Sequence, residues 1–227
     1  MRSLTAVVAA GLLVGVVGTA CGGDDDSGGG ATTAAPTGPT VTAPAGGRCV
    51  VRLHGKGGSG GPTTTAGDVT TIAPTGNADG WGARQWLYFP AAEYDAAVKI
   101  VRDAVAGCGP IIVDGFSNGA SFAAAMYCHG ESFDGRLVRV IIDDPVTDHA
   151  VDGCSPAPDV AVTLYATGAL EAQAPAGTKC ADIDWTCEGG ETLGIEAWAT
   201  ALDVPRQQSP HTDHQPYADP PELSDWA

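Results

Sequence analysis

The sequence predicts one α/β domain in which a mostly parallel central sheet carries helices on both faces, with no large cap domain. Three observations lead there. From residue 48 onward, short Val- and Ile-rich runs alternate with Ala-rich segments of helical period, the pattern of strands joined by helical crossovers. The connections between these segments are short, leaving no room for a large insertion. The first fifth of the 227 residues does not read as folded protein, so about 180 residues remain, the size of one domain.

Residues Met1 to Ala20 begin with Arg2, pass through an apolar stretch from Ala6 to Val17, and end in the small residues Gly18, Thr19 and Ala20 before Cys21. Such a segment reads as a secretory signal, too short and too early for a membrane span. Val17 to Cys21 resembles a bacterial lipobox, in which cleavage leaves a cysteine that carries lipid; Gly18 is an unusual residue for its place there. The plainer alternative is a signal cut near Ala20 with Cys21 left as a spare thiol. Residues 22 to 47 are Gly, Asp, Ala, Thr and Pro, including the run Asp24 to Asp26, and read as a solvated tether. The boundaries expected are therefore a signal at 1–20, a lipidated cysteine and tether at 21–47, and the folded domain at 48–227. An extracytoplasmic protein, held to the membrane through lipid on Cys21 or released, follows from this reading, and a monomer is expected.

The chain has 11 basic and 27 acidic residues, a formal charge of -16. Electrostatic attraction to nucleic acid or to an anionic lipid surface is therefore disfavoured. Seven cysteines are present, and setting Cys21 aside leaves an even six, which in an exported chain implies up to three disulfides. Cys180 and Cys187 close a short loop; Cys49 with Cys108 and Cys128 with Cys154 complete the preferred set among fifteen possible pairings. No paired CxxC clusters occur, so a structural zinc site is not indicated.

Taken in order, Cys49 to His54 reads as a strand ending at a glycine loop, and Val69 to Ala73 as a second strand ended by Pro74. The stretch Ala91 to Ala106 spaces Ala92, Ala96, Ile100 and Val101 near three and four residues apart, a helix that Gly107 ends. Ile111 to Val113 is a buried strand, followed by Gly115-Phe116-Ser117-Asn118-Gly119 and a helix from Ala120 to Cys128. Leu137 to Ile142 and Val160 to Ala166 are further strands, and the last helix covers about Glu191 to Leu202. No internal repeat is visible.

Gly115 to Gly119 match G-x-S-x-G, in which a serine occupies a tight strand-to-helix turn and the flanking glycines avoid collision with it. The context agrees: three β-branched residues lead in and an Ala-rich helix leads out. An ordinary glycine turn bearing a surface serine is the bland alternative. With the following Ala120, this stretch resembles the nucleophile turn of the α/β-hydrolases, and the order of strands and motifs resembles that family across the folded region. His54-Gly55-Lys56-Gly57-Gly58 is similar to the family's H-G-x-G loop, although Gly57 to Gly61 also reads as a plain flexible connector. The resemblance implies Ser117 as nucleophile and the backbone amides of Lys56 and Asn118, or Gly57 in place of Lys56, as the pair that holds the oxyanion.

The resemblance also implies the chain order serine, acid, histidine. After the strand Val160 to Ala166, Glu171 and Pro175 fall where cutinase-like and polyesterase-like members carry an aspartate and a proline, so Glu171 is the expected acid. Asp144, Asp148, Asp182 and Asp184 are the other candidates. The base is expected at His214, with His211 as alternative, because both follow the last helix and Pro216, Pro220 and Pro221 resemble the family's proline-rich tail. Imidazole suits this role because it can take and return a proton near neutral pH. His149 falls too early in the chain, His129 sits at the end of the helix after the turn, where it reads as a helix-terminal cation, and His54 is expected to shape its loop.

The aromatic group Trp81, Trp86, Tyr88 and Phe89 reads as core, or alternatively as a wall of the site; Trp185, between two cysteines, is open to both readings. No metal or organic cofactor is indicated, since Gly55 to Gly61 lacks the Lys-Ser/Thr ending of a phosphate loop. The function implied by the resemblance is hydrolysis of a carboxylic ester through an acyl-enzyme, with a small or polymeric ester as substrate. Acyl transfer or peptide cleavage by the same residues, or an inactive binding module on this scaffold, are the alternatives.

Overall fold

The computed structural model describes residues 46–224 and residue 226; the expected signal, Cys21 and all but the last two residues of the tether lie outside the described residues. The elements run β1 (Arg48–Leu53), β2 (Gly61–Ala66), β3 (Val69–Ala73), β4 (Ala78–Gly80), β5 (Ala83–Gln85), α1 (Ala91–Ala104), β6 (Ile111–Phe116) and α2 (Asn118–Cys128). There follow β7 (Leu137–Asp143), β8 (Ala161–Ala166), α3 (Ala169–Gln173), α4 (Ile195–Leu202), β9 (Arg206–Gln208) and α5 (Pro221–Ser224).

Seven strands form one sheet in the order β2-β3-β1-β6-β7-β8-β9. Every pairing in it is parallel except β2 with β3. The central strand β6 opens with Ile111, Ile112 and Val113, consecutive apolar residues that suit a strand whose two faces are both covered. Beyond a register shift between Ile111 and Ile112 the two faces alternate. Val51, Val113 and Val140 lie side by side across β1, β6 and β7 and point into the main core, where Val98 and Val101 of α1, Phe122 and Met126 of α2, and Trp198 of α4 meet them. The opposite face carries Ile112, Ile141 and Tyr165, covered by the C-terminal segment through Tyr217, Leu223 of α5 and Trp226.

The structure adds elements that the sequence reading did not name and moves the start of one that it did. The stretch Gly61 to Ala66, which begins at the last glycine of the expected connector, is the exposed edge strand β2; its three consecutive threonines favour extended backbone. The short strand β9 and the hairpin of β4 and β5 carry no hydrophobic alternation to announce them. The last helix begins at Ile195 instead of near Glu191, because Glu191 is extended and Gly194, with φ of 84°, turns the chain into the helix. The disulfides join Cys49 to Cys108, Cys128 to Cys154 and Cys180 to Cys187, the set preferred from the sequence. A mostly parallel sheet with helices on both faces and no large cap is thus the observed architecture.

Candidate active site

The turn after β6 is held by close packing. Ser117 has φ of 56° and ψ of -122°, a conformation that costs a non-glycine residue of order 1–3 kcal/mol and persists only when its surroundings impose it. The surroundings do so here. A side chain at Gly115 would meet the Gly119 carbonyl oxygen at 2.3 Å, and one at Gly119 would meet the Leu53 carbonyl oxygen at 2.4 Å. Glycine at both positions therefore lets the first turn of α2 lie against the end of β1. The Ser117 N–H donates to the Asp143 carbonyl at 3.0 Å, tying the turn to β7.

The C-terminal segment returns over the ends of these strands and brings His214 to the serine. His214 Nε2 lies 2.9 Å from Ser117 Oγ, and Nδ1 lies 2.6 Å from Asp144 Oδ2. Phe116 stacks on the imidazole, with ring centroids 4.5 Å apart. Behind His214 the segment is strapped to the sheet: the Tyr217 N–H donates to Asp143 Oδ2 at 2.6 Å, Arg52 donates to the Ala218 carbonyl at 2.6 Å, and the Tyr165 hydroxyl donates to Glu222. His211 is elsewhere, edge-on to Tyr217 at 6.5 Å.

The acid is not where the resemblance placed it. Asp144, immediately after β7, engages His214, and Glu171 does not. Glu171, on α3, is paired instead with Arg206 at 3.8 Å, while both ring nitrogens of His214 are already engaged. Asp144 adopts φ of 47°, a left-handed conformation that aspartate tolerates better than most residues, and this turns its carboxylate toward the imidazole. The Thr167 N–H and hydroxyl donate to its two oxygens at 2.9 and 2.8 Å. Burial alone would push the Asp144 pKa up, but the hydrogen bonds from His214 and Thr167 outweigh it and hold the carboxyl below its ordinary value. Asp148, another candidate, is fully buried and occupied by the Tyr88 hydroxyl at 2.5 Å and the Glu188 and Ala150 N–H groups. Asp184 accepts from the Trp81 indole at 2.8 Å.

The glycine loop after β1 closes the other side. Gly55 lies so near the serine that a side chain there would meet Ser117 Cβ at 3.0 Å. His54 shapes the loop as expected: Nδ1 bonds the Gly55 carbonyl at 2.8 Å and Nε2 accepts from the Gly76 N–H at 3.0 Å. Burial holds its pKa down, in keeping with the neutral ring that this pair of bonds needs. The Gly57 N–H is spent on the Arg84 carbonyl at 2.9 Å, which removes it as a stand-in for Lys56. Among the described residues, the backbone N–H groups of Lys56 and Asn118 have no protein acceptor. The Asn118 side chain is engaged with Trp86, accepting from its N–H at 2.7 Å and donating to its carbonyl at 3.0 Å.

These groups open into a cleft of about 210 Å³ lined by Lys56, Trp81, Val146, Leu170, Trp185 and Thr186, together with Ser117 and His214. The two aromatic readings divide between residues. Trp86 and Tyr88 are core, Trp86 stacking on Phe122 at 5.0 Å, whereas Trp81 is 57 % exposed at the rim of the cleft. Lys56 Nζ lies 4.6 Å over the Trp81 ring and donates to the Asp184 carbonyl at 2.9 Å. Among the described residues no cluster of His, Cys, Asp and Glu has the arrangement of a metal site, and no helix is long and apolar enough to cross a membrane.

No family model and no curated protein matches this chain. Among solved structures, a Bacillus cereus carboxylesterase aligns with 78 % of this chain and 83 % of its own, at 16 % identity and a TM-score of 0.46. FphF, a fluorophosphonate-binding serine hydrolase of Staphylococcus aureus, covers 79 % of this chain and 81 % of its own at 12 % identity and a TM-score of 0.39. A protein of unknown function from Agrobacterium tumefaciens covers 82 % and 90 %, at 16 % identity and a TM-score of 0.42. These likenesses are distant, and the chemistry rests on the serine, imidazole and carboxylate that this chain brings together.

Proposed function

We propose that the protein is a serine hydrolase that cleaves carboxylic esters through an acyl-enzyme. One observation carries the reading: a strained serine, an imidazole and a buried carboxylate stand in hydrogen-bonded series at 2.9 and 2.6 Å. Asp144 accepts a hydrogen bond from the Nδ1–H of His214 and so leaves Nε2 free to take the Ser117 proton as Oγ attacks the ester carbonyl carbon. The oxyanion that forms meets the amides of Lys56 and Asn118, the latter at the N-terminus of α2. Collapse breaks the bond to the alcohol, which leaves with the proton from His214. Water, deprotonated by the same imidazole, then attacks the acyl-serine and releases the acid.

The complete series of three groups weighs against an inactive scaffold. The test is labelling by a fluorophosphonate probe together with turnover of p-nitrophenyl butyrate. Wild type should do both, and Ser117→Ala and His214→Ala neither; an unlabelled, folded wild type refutes the reading. Export and a lipid on Cys21 are part of the same proposal, supported by the sequence from Met1 to Cys21 and by three disulfides in the folded domain. Mass spectrometry of the N-terminal peptide from the native membrane decides this, since an unmodified Cys21 removes the anchor.

A further inference from the structure

Leu170 and Trp185 line the catalytic cleft and also a second void of about 10 Å³ on its far side, which Asp144, Thr147 and Ile195 border. They therefore form a partition. The void beyond holds one water at most, so the cleft ends there. Val146, Leu170 and Trp185 belong to a small apolar cluster of their own with Cys180 and Cys187. The disulfide pins the loop that presents Trp185, and Trp81 is tied to the same loop through Asp184.

The direction of the cleft follows from exposure. Val146 and Leu170, 7 and 8 % exposed, are at its bottom; the His214 side chain, 29 % exposed, and Trp81 are at its mouth. The leaving alcohol must receive its proton from His214, so it belongs at the mouth, and the acyl group must point down. With about 30 Å³ for a water-sized group, the cleft holds roughly seven such groups, or an acyl chain of about four to six carbons once the reacting carbonyl is seated.

We infer that Leu170 and Trp185 form the floor of an acyl pocket, and that the substrates are esters of short, compact, apolar acids with little restriction on the alcohol. This rests on the hydrolase reading above. The test is kcat/KM for p-nitrophenyl esters from acetate to dodecanoate, with active sites counted by fluorophosphonate. Wild type should peak at butyrate or hexanoate and lose at least tenfold by decanoate. Leu170→Ala, which removes three carbons from the floor and opens the void, should move the optimum two to four carbons longer. Leu170→Phe covers the case in which the smaller side chain does not fold, and should shift the optimum toward acetate. Butyrates of alcohols of increasing length should differ by less than threefold.

A flat wild-type profile out to dodecanoate, an equal loss at every length in both variants, or a steep dependence on the alcohol with none on the acid overturns the inference. In each of those outcomes Ser117 is still labelled. Absence of labelling is a different failure, one that overturns the hydrolase reading and this inference with it.

Discussion

Replacing Asp144 by Asn keeps the shape of the site and removes the charge that His214 Nδ1 faces at 2.6 Å. Once the side chain presents an amide N–H to Nδ1, the imidazole proton is driven to Nε2, which can then no longer accept from Ser117 at 2.9 Å. The loss expected for such a tautomer error is about 10⁴-fold in kcat, or about 5.4 kcal/mol at about 1.36 kcal/mol per factor of ten. KM should change little, because Asp144 lies behind the imidazole and does not line the cleft. Glu171→Gln is the control. Its side chain is 38 % exposed and 3.8 Å from Arg206, a pair worth about 0–1 kcal/mol of stability, and activity should stay within twofold. Steady-state kinetics on p-nitrophenyl butyrate, with circular dichroism to confirm folding, decide the matter. A folded Asp144→Asn that keeps a tenth of wild-type activity, or a Glu171→Gln that loses a hundredfold, refutes the reasoning.

Gly119→Ala drives a methyl into the Leu53 carbonyl at 2.4 Å and the His54 carbonyl at 2.6 Å, both backbone and unable to yield cheaply, so denaturant titration should show a loss of about 3 kcal/mol or more; an unchanged midpoint contradicts the packing described. Burial pushes Asp114 and Asp148 up to about 7 and Asp143 up to about 6, against about 3.9 when unfolded. Between about pH 4 and 7 the native state therefore binds more protons than the unfolded one, and stability should fall as pH rises. Asp144, held low, adds the opposite slope only below about pH 4. Calorimetry should give a higher Tm at pH 5 than at pH 8, and Asp143→Asn a shallower difference; a Tm that rises toward pH 8 counts against these shifts. The Cys49–Cys108 link spans 59 residues and the Cys180–Cys187 link seven, so removing them as alanine pairs should cost about 4 and about 2.5 kcal/mol on loop entropy. Equal losses in urea titrations would show that strain or residual structure dominates.

How far the sequence discloses this site depends on whether each group is announced by its neighbours. Ser117 is, because the turn that presents it demands glycine two residues away on either side, and β-branched residues lead into it. His214 is, because few imidazoles follow the last helix. The core strands and α1 were legible from apolar periodicity, and β2 and β9 were not, because edge strands bury little and need no pattern. Trp81 and Trp86 lie five residues apart in one aromatic run, yet one is at the cleft and the other in the core; composition does not distinguish them, since the difference comes from the turn at Trp81, with φ of 38°, and from the Asn118 clamp on Trp86.

Asp144 was harder to find for a reason that lies in the sheet. β7 and β8 are adjacent and parallel, with Asp143 opposite Tyr165, so a carboxylate leaving either strand end can arrive on the same side of an imidazole held above them. Strand order alone leaves the choice open, and the backbone decides it. After β8, Gly168 takes φ of 84° and starts α3, which carries Glu171 to Arg206. After β7, Asp144 itself takes the left-handed turn, with Pro145 behind it, and the Asp144 N–H bonds the Tyr165 carbonyl at 2.9 Å. An aspartate immediately after a buried strand, followed at once by proline, is the local signal. Its neighbour Asp143 has the complementary role, since one carboxylate orients the imidazole and the next holds the segment that delivers it, through the Tyr217 N–H. Adjacent residues on a strand point to opposite faces, and the left-handed turn at Asp144 breaks that alternation, which is how two consecutive carboxylates come to serve one histidine.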